Sequence, residues 1–161
     1  MRDESYLKFF LSIIRSHSNG YKALEIRCNN GELLSLLKSE GFDDLIGIDP
    51  TVHGQERDGI SFHRAYWSSN FASTMSAHRN AIPVIIARHV LEHVPDPDDF
   101  IKSFDFVSND ETTLFIEVPD FEQNLLNAGC YTFFFRTPAL LYSTGVNKKV
   151  SEPWMGAKKS L

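Results

Sequence analysis

The chain has 161 residues, of which 42% are apolar, and a formal net charge of −5. This length predicts one domain that buries about 70% of the surface of its unfolded chain. The acidic balance argues against a general nucleic-acid binder, which needs a basic face, and no apolar run approaches the roughly 20 residues that span a membrane. With only two cysteines, Cys28 and Cys130, the composition predicts reduced thiols in a cytoplasmic protein.

The first elements in chain order are a helix, a strand, a second helix and a second strand. Apolar residues at helical spacing between Leu7 and Ile14 predict an amphipathic N-terminal helix within residues 1–20. Residues 23–26 form a short apolar strand, and the leucines between Leu33 and Leu37 make one apolar helix face. Gly41 is placed to end that helix in a left-handed conformation, and residues 45–48 are a second strand that ends at Asp49.

The rest of the chain continues the alternation. Residues 50–59 are rich in turn residues and carry no pattern, 60–65 predict a third strand, 66–71 pass over the crevice, and 73–80 indicate a weak polar helix. A buried strand over 83–87 precedes a helix that starts at Asp96-Pro97, and a fifth strand covers 112–118. The predicted fold is a Rossmann-like, doubly wound α/β domain with a mainly parallel sheet and helices on both faces, reduced at its carboxyl end. One domain, 1–161, then comprises the helix (1–20), a cofactor-binding core (23–120) and an aromatic-rich segment with a tail (121–161).

The segment from Ala23 to Asp49 carries the first functional signal. A nucleotide-binding crevice is built from a strand, a turn, a helix and a second strand, and the second strand ends in an acid about 20 residues after the turn. This segment has that layout. Backbone N–H groups at the helix start meet the ligand, and the acid accepts hydrogen bonds from ribose hydroxyls. The run Glu25-Ile-Arg-Cys-Asn-Asn-Gly31 resembles the first motif of class I S-adenosylmethionine-dependent methyltransferases, and Ile46-Gly-Ile-Asp-Pro50 resembles their second strand with its ribose-binding acid.

Two further stretches extend this resemblance over roughly Leu24 to Asp120. The run Arg88-His-Val-Leu-Glu-His-Val-Pro-Asp-Pro97 is similar to a hallmark of these methyltransferases, and Ile116-Glu-Val-Pro119 resembles their fifth strand. The resemblance, which is closest to the small-molecule and sugar carbon methyltransferases, implies methyl transfer from S-adenosylmethionine to a small-molecule substrate. His89 is the candidate base, with His93 second. The residues assigned to the cofactor are Glu25, Arg27, Cys28, Asn29, Gly31, Asp49, Pro50 and Arg88.

Departures from the family pattern favour a second hypothesis, a degenerate, non-catalytic domain that acts by binding a partner. Arg27 stands where the family usually has glycine, and its guanidinium either bonds the cofactor carboxylate, fills the pocket, or points to solvent. The Glu-His pair that carbon-methylating relatives carry before an aromatic–Thr–Pro turn is absent ahead of Thr137-Pro138.

Two other hypotheses concern metal binding and self-association. His89-x-x-Glu92-His93 fits an inverted zinc-protease signature, but that chemistry needs a continuous helix, which Pro95 interrupts; no metal is predicted. Five strands leave a sheet edge open, and residues 131–142 hold five aromatic side chains, so a homodimer through 131–142 is predicted. The alternative is that these rings fold back over the vacant strand positions and keep the monomer closed.

Overall fold

A computed structural model describes residues 4–18, 20–75, 82–117 and 139–143, the last segment as backbone only. The strands are β1 (Lys22–Ile26), β2 (Asp44–Ile48), β3 (Glu56–Arg57), β4 (Ile60–His63), β5 (Val84–Arg88), β6 (Thr113–Glu117) and β7 (Ala139–Ser143). The helices are α1 (Glu4–His17), α2 (Glu32–Ser39), α3 (Ser69–Thr74) and α4 (Pro97–Lys102). Short 3-10 turns follow β5 at Leu91–His93 and α4 at Ser103–Phe106.

The strands of the described residues form one sheet in the order β3-β4-β2-β1-β5-β6-β7. The five central strands pair in parallel, and the two outer strands, β3 and β7, pair antiparallel to their neighbours. This is the predicted Rossmann-like, mainly parallel α/β fold. The predicted count of five strands is wrong, because the prediction missed β3 and because Ala139–Ser143 pairs along β6.

Two apolar cores lie on the two faces of the sheet. On one face, α1 and α2 pack against alternate strand residues, for example Phe10 against Phe115. On the other face, the aromatic residues around α3 and α4 pack against the intervening strand positions, for example Phe104 with Trp67. Because successive residues of a strand point to opposite faces, Glu25, Arg88 and Glu117 lie on the face that carries α1 and α2. Each stands two residues after an apolar residue of that core, namely Ala23, Ile86 and Phe115.

The predicted helix ends agree with the structure at two positions. Gly41 has φ 96°, and it lies just past α2, where its N–H bonds to Lys38 O and the next N–H, of Phe42, bonds to Leu37 O. This pair of hydrogen bonds is the pattern of a helix that ends at a left-handed residue. Asp96 caps α4 by accepting a hydrogen bond from Asp99 N at 3.0 Å, with Pro97 in the first turn.

Two local predictions need correction. The pattern-free stretch 50–59 contains strand β3, which the sequence hides because two residues are too few for a periodicity to register. The helix that overlaps the polar helix expected over 73–80 is α3, Ser69–Thr74, which starts where Ser68 accepts a hydrogen bond from Phe71 N; residues 76–80 of the expected range lie outside the described part of the chain. The segment 66–71 therefore does not simply cross the crevice: Trp67 is buried in the core beside α3 and α4.

The homodimer prediction loses one of its two premises. The edge of β6 that was expected to be open is paired with β7, and the remaining residues of the aromatic segment, 131–138, lie outside the described part of the chain. Among the helices that the structure describes, none is long and apolar enough to cross a membrane.

Candidate functional site

The carboxyl ends of the central strands meet at one edge of the sheet. Register pairs Ile26 with Ile48 and with Ala87, and pairs Arg88 with Glu117. The loops that leave these strands continue the pairing, since Arg27 N bonds to Ile48 O at 2.7 Å and His89 N bonds to Glu117 O at 2.9 Å. Ligands of open α/β sheets bind along this edge, so the fold brings the loops that carry the predicted site residues to one edge.

The loop between β1 and α2 turns through three left-handed residues. Arg27, Asn29 and Gly31 have φ of 59°, 51° and 78°, at the alternate positions where the resembled motif carries small residues. A Cβ at Gly31 would lie 2.7 Å from the Phe62 ring, so this glycine answers both a backbone and a packing requirement. The side chains at 27 and 29 are exposed, which allows larger residues at a conformational cost of about 1–2 kcal/mol each.

Asp49 joins this loop to the end of β2. Its Oδ2 accepts a hydrogen bond from Asn29 N at 3.0 Å, and its Oδ1 accepts bonds from Thr51 N at 2.8 Å and Thr51 Oγ1 at 2.6 Å. Asp49 is 4% exposed. A carboxylate oxygen can accept two hydrogen bonds, so Oδ2 retains capacity for one hydroxyl donor. The residues here fit the ribose end of a nucleoside ligand.

Gly47 of β2 leaves space for the Cys28 side chain of the loop after β1. A Cβ at Gly47 would lie 2.7 Å from Cys28 Sγ and 2.9 Å from Leu34 Cδ1. Cys28 is buried and points into the core, and the pKa of its thiol is raised by burial and by the nearby carboxylates of Glu25 and Asp49. Cys28 therefore contributes packing, and only its backbone lies in the loop that faces the crevice edge.

Arg27 reaches across the crevice. Its Nη1 donates a hydrogen bond to the backbone carbonyl of His89, which follows β5. The contact ties the β1 loop to the β5 loop at the point where the strand order reverses, which is where ligands of doubly wound sheets bind. The structure thus supplies a contact that none of the three sequence hypotheses for Arg27 included.

Glu25 and Arg88 form a buried ion pair between neighbouring strands. Arg88 Nη2 lies 2.9 Å from Glu25 Oε1, and the guanidinium carbon is 5.3 Å from the centroid of the Phe10 ring. Burial alone lowers the pKa of Arg88, but the charge and hydrogen bond of Glu25 outweigh that effect and the pKa is raised. Both residues were predicted to bind cofactor; the structure places them beneath the crevice, where they hold β1 and β5 together.

The two candidate bases occupy different environments. His89 has φ 52°, and its Nε2 lies 2.9 Å from Glu117 Oε1 while its Nδ1 lies 3.8 Å from Glu92 Oε1. The His93 side chain is 62% exposed, with Nε2 3.9 Å from Glu92 Oε1. His89 therefore has more contacts that hold its side chain than His93 has.

Pro50, another residue assigned to the cofactor, lies on the turn after Asp49. Its carbonyl accepts a hydrogen bond from Arg64 Nε at 3.2 Å.

A cavity of about 250 Å³ opens beside this turn. Asn29 and Asn30 line it from the β1 loop, and Thr51 and His53 line it from the turn after β2. Pockets that hold a whole small ligand are typically about 300–1,000 Å³. This cavity therefore has the size for one portion of a ligand.

The zinc hypothesis lacks its structural context. The left-handed backbone at His89 and the three-residue turn Leu91–His93 replace the continuous helix that the zinc-protease signature needs. Within residues 4–18, 20–75 and 82–117, no cluster of three His, Cys, Asp or Glu side chains is arranged to hold a metal ion.

Sequence reasoning assigned no role to Tyr6, Thr51 or Glu117. Tyr6 OH donates a hydrogen bond to Glu117 Oε2, and Thr51 supplies two of the three donors to Asp49. Glu117 carried a signal, since it is a charged residue at the end of an otherwise apolar strand. Tyr6 carried none, because its partner is 111 residues away in the chain.

Comparison with known proteins identifies the class of this domain. A family model for a methyltransferase domain matches residues 2–139, and the chain therefore belongs to the methyltransferase domain family. The prediction that the cofactor is S-adenosylmethionine is confirmed at the level of this family, while the narrower resemblance to sugar carbon methyltransferases stays a prediction. Comparison with curated proteins gives no match.

Solved structures share the fold. The plantazolicin methyltransferase BpumL, in complex with a pentazolic desmethylPZN analog and SAH, aligns with a TM-score of 0.59 at 16% identity, over 80% of this chain and 55% of that one. A SAM-dependent methyltransferase from Archaeoglobus fulgidus aligns with a TM-score of 0.55 at 20% identity, over 77% and 57%. The methyltransferase domain of bacterial CtHen1-CN aligns with a TM-score of 0.54 at 20% identity, over 76% and 69%. The chain spans about half the length of the first of these structures.

Proposed function

We propose that this domain binds S-adenosylmethionine and transfers its methyl group to a small-molecule acceptor. The observation that carries the proposal is the bond between Asn29 N and Asp49 Oδ2 at 3.0 Å. It brings the left-handed loop after β1 against the acid that ends β2, which is the pairing of loop and ribose-binding acid that a nucleoside ligand needs.

The chain's own residues then have separate tasks. Asp49 offers its second acceptor position to a ribose hydroxyl, and the loop that carries the exposed residue Asn29 borders the ligand. Glu25 supports the crevice, because its ion pair with Arg88 holds together the two strands that flank it. Cys28 fills the space above Gly47.

Catalysis by such a domain is largely positioning. Bound S-adenosylmethionine supplies a methyl group on a sulfonium, and the transfer breaks the sulfur–carbon bond, leaves its electron pair on sulfur, and joins that carbon to the acceptor atom. An acceptor that carries a proton needs a base. His89 is that base in our proposal, because it lies at the carboxyl edge, keeps 32% of its side chain exposed and is held by a carboxylate; His93 is second.

The binding test compares the wild-type chain with Asp49→Ala. S-adenosylmethionine or SAH should raise the melting temperature of the wild type, and Asp49→Ala should weaken binding by about 1–3 kcal/mol, or roughly 5- to 150-fold in Kd. Asp43→Ala is the matched control, because Asp43 is an exposed acid between α2 and β2. If millimolar ligand gives neither heat in calorimetry nor a thermal shift, the enzyme proposal is wrong.

The acceptor needs its own test. A small molecule is favoured by the formal charge of −5, which disfavours a nucleic-acid substrate. After incubation of a cell extract with methyl-labelled S-adenosylmethionine and the domain, label in the low-mass fraction supports the proposal. Label confined to RNA or to protein contradicts it.

The second candidate is a non-catalytic domain that binds a partner, and the Arg27 contact is the observation that favours it. A guanidinium bonded to the His89 carbonyl occupies the space between the two loops that a methyl donor needs. In that case Arg27→Gly should create or strengthen binding of SAH. Self-association through 131–142 stays a prediction for either candidate, and light scattering that gives the mass of one chain over a wide concentration range would exclude it.

A further inference from the structure

The cavity beside the turn after β2 lies away from the strands between which the crevice opens. Arg57 of β3 and Phe62 of β4 line it together with residues of the turn and of the β1 loop, and no described residue of its lining belongs to β5. The strand order reverses between β1 and β5, whereas β3 and β4 form one end of the sheet. The cavity is therefore a separate feature, beyond Asp49 as seen from His89.

The short connection between β2 and β4 shapes this cavity. Neighbouring parallel strands need a crossover of a dozen or more residues, which is usually a helix. Here residues 49–59 make the crossover, and the structure describes all of them; they contain the two-residue strand β3 and no helix. The outer wall of the cavity is consequently built from loop side chains, His53 and Gln55 among them.

Arg57 is exposed, yet two contacts hold its guanidinium at the cavity. Nη2 donates a hydrogen bond to Asn30 O at 2.5 Å, and the guanidinium carbon lies 4.8 Å from the centroid of the buried Phe62 ring. A guanidinium has five N–H donors in a planar fork, of which the bond to Asn30 uses one. Such a fork binds an oxyanion with two parallel hydrogen bonds, so Arg57 is positioned to take one.

The rest of the lining also suits a negatively charged group. Arg57 and His53 line the cavity with the amide side chains of Asn29, Asn30 and Gln55, and no described residue of the lining is acidic. Each amide carries two N–H donors. The cavity thus collects donors and cations, although the whole chain has a formal charge of −5.

The neighbouring acids are directed elsewhere. Glu56 precedes Arg57 on β3 and pairs with Ser61, so the alternation of the strand puts it on the other face of the hairpin. Asp49 is buried, and its two oxygens already accept hydrogen bonds from Asn29 N and from Thr51. Asp58 lies on the hairpin turn, where the Lys38 ammonium donates to its carbonyl and places a positive charge beside it.

We infer that this cavity is a binding site for a phosphate-type oxyanion, which the Arg57 fork and the side-chain amides of Asn30 and Gln55 hold. Its volume of about 250 Å³ suits a phosphate group, either free or carried by a small molecule, and is below that of typical pockets for a whole ligand. The site does not depend on methyl transfer, because none of these three residues is assigned to the cofactor.

Titration with inorganic phosphate, at an ionic strength held constant with sodium chloride, tests the site. In nitrogen NMR we expect saturable shifts of the Arg57 guanidinium and of the Asn30 and Gln55 side-chain amides. Arg57→Gln should weaken binding about 10- to 100-fold, as expected for lost hydrogen bonds to a charged group. Arg15→Gln is the matched control, because it removes the same charge from an exposed position on α1, where Arg15 pairs with Glu40. It should leave the midpoint unchanged.

Gln55→Glu tests the site while keeping the contacts of Arg57, and it serves if Arg57→Gln does not fold. It preserves the size of an exposed side chain and adds a negative charge to the cavity wall, so it should abolish saturable binding. Ribose 5-phosphate separates the two sources of the group. Binding tighter than that of both inorganic phosphate and ribose indicates a phosphorylated small molecule, and binding equal to that of phosphate indicates the free anion.

Three results would overturn the site. Shifts that grow without saturation, or that affect Arg15 as strongly as Arg57, indicate unspecific attraction. The same midpoint in the wild type, Arg57→Gln and Gln55→Glu excludes the cavity. Mutual exclusion of phosphate and SAH would place the anion in the crevice, whereas simultaneous binding supports a separate site. A chain that binds phosphate as expected but no S-adenosylmethionine or SAH would refute the proposed function alone.

Discussion

Replacement of Arg27 separates two effects that the structure combines at one residue. The backbone there is left-handed, with φ 59°, and the side chain donates a hydrogen bond to the His89 carbonyl. Arg27→Ala removes the hydrogen bond and keeps the unfavourable backbone. Arg27→Gly removes both, because glycine adopts positive φ without a Cβ penalty.

The hydrogen bond of Arg27 stabilises the fold and its left-handed backbone destabilises it, by free energies of similar size. The exposed hydrogen bond stabilises the fold by about 0.5–1.5 kcal/mol, and this is the expected loss in Arg27→Ala. In Arg27→Gly, relief of about 1–2 kcal/mol of left-handed strain is offset by the same lost bond and by a more flexible unfolded chain, worth about 0.4–1 kcal/mol. We expect Arg27→Gly to be close to the wild type, and Arg27→Ala to be the least stable of the three by about 1 kcal/mol.

Urea unfolding of the three chains measures these differences, and calorimetry with SAH gives the functional result. If Arg27 blocks the crevice, both variants bind SAH more tightly than the wild type does. If the guanidinium leaves His89 to grip a ligand carboxylate, both bind it more weakly. An alanine variant at least as stable as the glycine variant would refute the reasoning, because the backbone at position 27 would then not be left-handed.

Three further predictions concern the support of the site. Gly47→Ala should destabilise the fold by about 1–3 kcal/mol through overpacking, whereas Gly54→Ala, whose new Cβ meets nothing closer than 3.5 Å, should change the unfolding free energy by less than about 0.5 kcal/mol. Arg88→Met should cost about 3–5 kcal/mol in urea unfolding, because it removes the partner of a buried carboxylate, and the double variant Glu25→Leu with Arg88→Met should cost less. The pKa of Glu117 is lowered in the folded chain, so its carboxylate stabilises the fold at pH values above the ordinary pKa of 4.5. This stabilisation is lost as the pH falls through the folded pKa. Acid unfolding of Glu117→Gln should therefore lack that part of the pH dependence.

The sequence was sufficient for the central sheet because its signals are local. The parallel strands are short apolar runs separated by helical patterns, and the ends of α2 and α4 follow from Gly41 and from Asp96-Pro97, whose chemistry acts over a few residues. The class of cofactor followed from the spacing of Gly31 and Asp49 in the resembled motif. These features need no knowledge of the rest of the fold.

The parts that sequence reasoning missed depend on distant contacts. β7 is defined by its pairing with β6, and nothing within Ala139–Ser143 alone indicates that partner. The ion pair between Glu25 and Arg88 was missed for the same reason, since two residues 63 positions apart meet only once the strands are adjacent. Which atom of a site faces the ligand is set by tertiary packing.

The bond between Tyr6 and Glu117 also has a consequence for how the chain folds during synthesis. The two residues are 111 positions apart, so at about 5–20 residues per second the ribosome adds Glu117 roughly 5 to 20 seconds after Tyr6. The apolar side of α1 needs Phe115 of the same late strand to complete its packing. We expect the parallel strands β1, β2 and β4 to associate first, and the N-terminal helix, although it is made first, to dock only after β6 has emerged.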